Sequence, residues 1–125
     1  MPTIKMDKNT ILSISGDRDV LVQRESALRH GGFQVISAYT ESQARFEIEM
    51  GRCGIMLICF RTRTDAIHEL TNLFRGYCPL GTIIFVTNSD YDSAPRDVDY
   101  IVPDVAGPEA IVRALRSALP SAKAS

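Results

Sequence analysis

Short apolar stretches alternate with longer amphipathic stretches along most of the chain. Five of the apolar stretches are rich in β-branched residues and have the length of a strand, and they lie at residues 10–15, 33–38, 54–59, 82–87 and 99–102. Between them, apolar residues recur at the spacing of a helix. This alternation predicts βα units around a parallel sheet. The third and fourth stretches contain almost only apolar residues, so we expect them to be inner strands with helices on both faces.

The first two amphipathic stretches carry start and stop signals of helices. Asp17 can cap a helix that begins at Arg18, and the Gly31-Gly32 pair supplies a left-handed stop. Thr40 and Gln43 have the spacing of a capping box, in which each side chain bonds the other residue's backbone amide. The sequence therefore predicts helices over residues 18–30 and from residue 41 to about Gly51.

The last two helices are predicted from one apolar stripe and one proline. Ile67, Leu70 and Phe74 recur on one helix face, and Gly76 follows them. Pro108 stands where a first helical residue is expected, and the pattern continues to Pro120. We therefore expect the third helix to end near residue 76 and the final helix to end near residue 120.

The connection between the fourth and fifth strands has no such pattern. Residues 88–99 are rich in Asp, Ser and Asn and are interrupted by Pro95. Because proline disrupts a helix interior, at most a turn or two of helix fits there. The sequence thus predicts an α/β fold of flavodoxin-like type: a doubly wound, five-stranded parallel sheet with a shortened fourth helix. The predicted domain spans residues 10–120, with tails at residues 1–9 and 121–125.

The composition argues against several classes of partner and of site. Fourteen Lys+Arg against fifteen Asp+Glu leave a net charge of -1, so we expect no nucleic-acid partner and no membrane partner. The three cysteines contain no Cys-x-x-Cys pair and the two histidines are far apart, which argues against a disulfide framework and a zinc site. The first residues lack the apolar stretch of a signal peptide, which predicts a reduced, cytoplasmic setting.

No motif for nucleotide binding or nucleophilic catalysis is present. The chain has no Gly-x-Gly-x-x-Gly, no Gly-Lys-Ser/Thr loop and no Gly-x-Ser-x-Gly elbow. We therefore expect no cofactor and no enzymatic activity. In a doubly wound sheet the functional crevice lies at the carboxyl ends of the strands. The residues predicted at that edge are Ser15, Gly16, Asp17, Cys59, Thr87 and Pro103.

From Ile11 to Leu119 the order and spacing of these elements resemble the response-regulator receiver (CheY-like) family. The segments that carry the resemblance are ILSISGDRDV, GGFQV, TIIFVT, DYIV and PEAI, beginning at residues 11, 31, 82, 99 and 108. The resemblance implies a domain of a bacterial two-component or phosphorelay signalling system whose partners are proteins. Members of that family accept a phosphoryl group from a histidine kinase on an aspartate that ends the third strand.

Most of the family's phosphorylation residues are replaced in this sequence. The acidic pair that holds magnesium in the family falls on Ser15 and Gly16, the phosphoacceptor on Cys59, and the fifth-strand lysine on Pro103. Of these groups the fourth-strand hydroxyl, Thr87, is retained, and Asp17 beside the missing acidic pair is the one other candidate for a retained group. Phosphoryl transfer needs a hard cation, oxygen ligands and a positive charge. The resemblance therefore implies a degenerate pseudo-receiver that acts as a phosphorylation-independent protein-interaction module, with an oligomeric state that the sequence leaves open.

Two alternative functions remain open at this stage. Asp17, beside the missing acidic pair, or Asp90 could accept phosphate in an atypical receiver. A flavodoxin-like domain could instead bind a small ligand at the strand ends. Thr87 and Tyr100 match the family's switch hydroxyl and switch aromatic, so both are candidates for a switch or an interface.

Two further features have both a functional and a structural interpretation. Cys59 is either a redox sensor, with Arg61 and Arg63 lowering its thiol pKa, or a small buried hydrophobe, which is the interpretation we favour. Because the shortened fourth helix reshapes the family's usual interface, we expect partners to use another face, such as the helix at residues 18–30.

Overall fold

The structure, a computed structural model, describes residues 7–88, 95 and 97–118. In this part of the chain the strands are β1 (Asp7–Ile14), β2 (Val35–Ala38), β3 (Cys53–Cys59), β4 (Thr82–Thr87) and β5 (Tyr100–Pro103). The α-helices of the same part are α1 (Arg18–His30), α2 (Glu41–Met50), α3 (Thr64–Tyr77) and α4 (Pro108–Ala118). A short 3-10 helix, Asp104–Ala106, joins β5 to α4. No helix in these described ranges is long and apolar enough to cross a bilayer.

The five strands form one parallel sheet in the order β2-β1-β3-β4-β5. This order confirms the predicted doubly wound, flavodoxin-like sheet. β3 is central and all of its residues are buried, as its continuous apolar sequence predicts. The register pairs Cys59 with Val86 and Thr87 with Pro103, so the carboxyl ends of β3, β4 and β5 meet at one edge.

Alternating strand residues supply two separate hydrophobic cores, one on each face of the sheet. The core below α2 and α3 contains Leu12, Met56 and Phe85, together with Ile67, Leu70 and Phe74 of α3. The core below α1 and α4 contains Ile11, Leu57 and Val86, together with Leu28 of α1 and Ile111 and Leu115 of α4. Both faces of the sheet are therefore covered, which an all-parallel sheet requires.

The predicted helix caps are present. Oδ1 of Asp17 accepts hydrogen bonds from the amides of Asp19 and Val20 at 3.0 and 3.3 Å. Thr40 and Gln43 form the reciprocal capping box of α2. The left-handed residue after α1 is Gly32, with φ of 96°, whereas Gly31 keeps a right-handed conformation.

Two strands begin later than predicted, and the residue before or at each predicted start makes a contact of its own. β2 begins at Val35 rather than residue 33, since the amide of Phe33 donates to the carbonyl of Leu28 at the end of α1. β5 begins at Tyr100 rather than residue 99, and Asp99 Oδ2 accepts from the amide of Ile83 at 2.7 Å. β1 starts earlier than expected, at residue 7.

The connection between β4 and β5 is described only in part. The predicted shortened fourth helix falls mainly on residues 89–94 and 96, which lie outside the described residues. Pro95 is buried, and its described neighbours at residues 97–99 contain no helix. Ser13 lies in the middle of β1, and its buried hydroxyl has no hydrogen-bond partner among the described residues. β1 pairs with β2 and β3 on its two sides, so nearby backbone groups already have sheet partners.

The buried face of α1 is testable by a pair of substitutions. Leu28 is fully buried, so Leu28→Ala should lower the free energy of unfolding by about 2–5 kcal/mol because it leaves a cavity. Val22 is 68% exposed on the same helix, and Val22→Ala should change stability by no more than about 0.5 kcal/mol. Urea denaturation of both variants measures the difference. Equal effects would contradict the assigned orientation of α1.

Candidate functional site

The structure brings the residues predicted at the strand ends to one edge of the sheet and closes that edge over them. Ser15 directly follows β1, and Cys59 and Thr87 are the last residues of β3 and β4. All three side chains are buried, and the exposed fraction of Cys59 is 0%. Pro103, at the end of β5, is partly exposed beside Thr87. The predicted grouping of these residues is therefore present, but three of the four side chains do not face solvent.

A close approach between two backbone segments closes this edge. An ideal Cβ placed on Gly16 would lie 2.8 Å from the carbonyl oxygen of Arg61. Because the contacting atom belongs to the backbone, any larger residue at position 16 would force the β3–α3 connection to move. The packing of these two segments therefore requires glycine at position 16. A carboxylate side chain at position 16 does not fit in this arrangement.

Asp17 is the one carboxylate of the predicted group, and its oxygens have local partners. Oδ1 caps α1, and the Asp17 amide itself donates to the hydroxyl of Ser15 at 3.1 Å. Oδ2 lies 3.8 Å from Nη1 of Arg61, in a half-exposed ion pair. These contacts give Asp17 a structural role at the start of α1, and they orient its carboxylate toward the guanidinium of Arg61. Asp90, the other predicted alternative acceptor, lies outside the described residues.

The surroundings of Cys59 differ from those expected of a reactive thiol. Its Sγ accepts a weak hydrogen bond from the Arg61 amide at 3.5 Å. The Arg61 guanidinium lies over the Phe60 ring at 4.9 Å, and Arg63 pairs with Asp65 at 2.7 Å. Both arginines that were candidates for activating the thiol thus have partners of their own. Full burial agrees with the interpretation of Cys59 as a small core residue.

The two candidate switch residues differ in their packing. Thr87 is fully buried at the end of β4. Tyr100, at the start of β5, is partly buried and packs against the core below α1 and α4. The two residues are also not opposite each other, since Thr87 pairs with Pro103 and Tyr100 pairs with Ile84. A switching role for this pair stays a prediction.

A buried arginine that the sequence analysis did not single out lies near this edge. Arg24 of α1 is 4% exposed, and its Nη2 donates to Oδ1 of Asp104 at 3.1 Å. Asp104 follows Pro103, so the ion pair joins α1 to the end of β5. The sequence signal for this residue is its spacing, because Arg24 stands three residues after Leu21 and four before Leu28 on the buried stripe of α1.

Three cavities open near these elements. One of about 340 Å³ lies between α1, the strand ends and the start of α4, and Arg24, Arg61 and Asp104 are among its lining residues. A second, of about 250 Å³, lies between Gly16, Tyr39 and the start of α3. The largest, about 920 Å³, is a groove between α1 and α4 away from the strand ends.

Metal-binding geometry is not found in the described ranges. No group of three or more His, Cys, Asp or Glu side chains converges there. His30 and His68 are both exposed and lie on different helices, α1 and α3. Ser15 contributes a hydroxyl and Gly16 no side chain, so this edge presents few of the oxygen ligands that magnesium prefers.

Comparison with known proteins identifies the fold by structure and not by sequence. No protein-family model matches the chain, and no curated protein sequence matches it. Solved receiver structures do match. The Vibrio cholerae chemotaxis protein CheY4 superposes with a TM-score of 0.71 at 11% identity, covering 86% of this chain and 96% of that chain. A response regulator receiver domain protein from Clostridium thermocellum gives 0.72 at 16% identity, covering 91% and 96%.

A third similar structure carries a modified site. It is a response regulator protein from Burkholderia pseudomallei with a phosphorylated aspartic acid, a calcium ion and citrate. It superposes with a TM-score of 0.73 at 16% identity, covering 93% of this chain and 71% of that chain. The structural similarity extends over nearly the whole chain, although the sequence identities are low. The chain therefore has the fold of response-regulator receiver domains.

Proposed function

We propose that this chain is a pseudo-receiver: a domain of a bacterial two-component or phosphorelay system that binds protein partners without being phosphorylated. The observation that carries the proposal is the closed strand edge, where a fully buried Cys59 stands at the phosphoacceptor position. A phosphoryl acceptor must be reachable by the donor and must supply an attacking oxygen. Cys59 meets neither requirement.

The packing around Gly16 supports the same proposal. A working receiver needs carboxylates after the first strand to hold magnesium against the phosphoryl group. Here the contact of position 16 with the Arg61 carbonyl leaves no room for one. Ser15 is buried and its hydroxyl accepts from the Asp17 amide. Recovery of metal binding would therefore require a movement of the backbone as well as new side chains.

The contacts of Asp17 argue against the atypical receiver as the leading interpretation. Its Oδ1 caps α1 and its Oδ2 faces Arg61. Phosphorylation on Oδ1 would remove a cap worth about 1 kcal/mol, and phosphorylation on Oδ2 would replace the oxygen that faces Arg61. A phosphorylated Asp90 is a separate alternative, and the same experiment tests it.

The groove between α1 and α4 is the surface that we propose for the partner. Its walls include the exposed Val22 and the partly buried Ala27 and Val112. Basic side chains line it at Arg113 and Arg116, against one acidic residue, Glu109. Arg116 is held in place, because its Nη2 donates to the carbonyl of Gly31 at 3.1 Å. An apolar floor with a basic rim fits an amphipathic partner segment that carries acidic residues.

Phosphorylation independence is tested with small phosphodonors. Incubation with acetyl phosphate and magnesium should add no phosphoryl mass to the intact protein, and beryllofluoride with magnesium should cause no saturable change in its NMR spectrum. A receiver domain with an aspartate at the end of its third strand serves as the positive control. A stoichiometric mass increase, on Asp17, Asp90 or any other residue, would overturn the proposal.

The closed strand edge is tested by thiol titration of the folded protein. Cys78 is partly exposed and should react first, whereas Cys59 should react only after unfolding. Burial raises the pKa of Cys53 to about 11, so its thiol stays protonated at neutral pH and should also be slow. Cys78→Ser should therefore leave the native protein without a fast thiol. Rapid labelling of native Cys59, located by peptide mapping, would contradict the closed edge and favour the redox sensor.

The proposed groove is tested by comparing variants in the cells that make the protein. A tagged Arg113→Glu/Arg116→Glu variant should lose a partner that the wild-type protein retains, because the basic rim is reversed. Arg45→Glu on α2 is the matched control and should retain it, since Arg45 lies outside the groove. Chelation of magnesium should not release the partner. Retention by the double variant, or loss on chelation, would contradict the proposed surface or its independence of phosphorylation.

A further inference from the structure

The helices on the two faces of the sheet carry opposite net charge. α1 and α4, on one face, contain five arginines and three acidic residues. α2 and α3, on the other face, contain two arginines and five acidic residues. The whole chain has a net charge of -1, so its composition conceals this separation. Each molecule therefore has a basic side and an acidic side on opposite faces of one sheet.

The acidic side bears an exposed apolar pair on α2. Phe46 and Met50 lie about one helical turn apart, and they are 55% and 52% exposed. They point away from Ala44 and Ile48, the buried residues of that helix, so they take no part in the core. Glu49 is exposed beside Met50 and adds a negative charge. We call Phe46, Glu49 and Met50 the α2 ridge.

The basic side bears a recess whose chemistry matches this ridge. The α1–α4 groove described above holds about 920 Å³, enough to admit several side chains, and Val22 is the exposed part of its apolar wall. His30, Arg113 and Arg116 line it together with a single acidic residue, Glu109. An amphipathic helix binds such a groove by burying its apolar face and placing its carboxylates near the basic rim.

The surface of this protein itself offers a helix of that kind. Of the helices that the structure describes, α2 alone presents two large exposed apolar side chains. It also contains three glutamates and one arginine. A symmetric contact of two grooves, by contrast, would bring the arginines of both copies together, and like charges oppose such a contact.

From this complementarity we infer that the α1–α4 groove binds the α2 ridge of a second copy of this chain. Phe46 and Met50 lie against the apolar wall at Val22, and the glutamates of α2 face Arg113 and Arg116. The inference rests on the proposed function, because it names the occupant of the same groove. Ridge and groove lie on opposite faces of the sheet, so the contact repeats head to tail and builds a row of molecules.

Sedimentation equilibrium of the purified full chain tests this assembly. One short helix buries little surface, so we expect weak contacts with a Kd of about 0.2 mM. The average mass should therefore rise beyond that of a dimer as the concentration approaches about 2 mM. A mass that stays at one chain would overturn the inference. The proposed function would then stand if the groove variant still loses its partner in cells, whereas phosphorylation of an assembling chain would overturn the proposed function alone.

Two variants that each lose one surface test the head-to-tail arrangement. Phe46→Glu should disrupt the ridge and Arg113→Glu/Arg116→Glu should reverse the groove, and each should weaken self-association by at least about tenfold. If the groove variant fails to fold, Val22→Glu takes its place, because this residue lines the groove and is 68% exposed. Mixed in equal amounts, a ridge variant and a groove variant should form a dimer and nothing larger, since one intact ridge and one intact groove remain.

Leu80→Glu is the matched control for these variants. Leu80 is 97% exposed and lies outside both the groove and α2, so this variant should assemble as the wild type does. Wild-type assembly by either surface variant would overturn the inference. Absence of the mixed dimer, or loss of assembly in Leu80→Glu, would overturn it as well, because either result places the contact elsewhere.

Discussion

The contact between Gly16 and the Arg61 carbonyl is the constraint on which the chemistry of this molecule depends. The segment after β1 here lies against the segment after β3. A Cβ atom at position 16 would lie 2.8 Å from the Arg61 carbonyl oxygen, so a larger residue would require one segment to move. In the same segment the Arg61 amide donates to Sγ of Cys59, and the Arg61 guanidinium lies near Asp17. At the crevice where a parallel α/β sheet usually carries its chemistry, two backbone segments therefore approach closely, and Ser15, Cys59 and Thr87 are buried.

Closure at the centre of the strand edge leaves open space beside it. On the α1 and α4 side, Arg24 reaches across to Asp104 and borders a cavity that Arg61 also lines. Farther from the edge, the same two helices leave a groove with a basic rim. α1 therefore borders both spaces, and the groove is the surface for which we propose a function. We propose that this domain binds its partners through α1, whereas phosphorylated receivers carry their chemistry at the strand ends.

The main features of the fold could be predicted because they follow from local chemistry. Continuous apolar residues in β3 and β4 indicate strands covered on both faces, and the Thr40–Gln43 capping box marks the start of α2. Strand bounds were less predictable where a partner distant in sequence competes. The amide of Phe33 bonds α1 instead of extending β2, and Asp99 caps the start of β4 by accepting from Ile83. Neither interaction has a signal in the adjacent residues.

The sequence by itself determined the order of the elements, the parallel α/β class and the residue types at the strand ends, because apolar periodicity, caps and helix breakers act over a few neighbouring residues. Only the tertiary structure decided that the backbone at Gly16 packs against the Arg61 carbonyl and that Cys59 is fully buried. It also decided that Arg24 is buried against Asp104, 80 residues away along the chain. These properties depend on distances between separate βα units, and such distances are set by how the helices pack on the sheet.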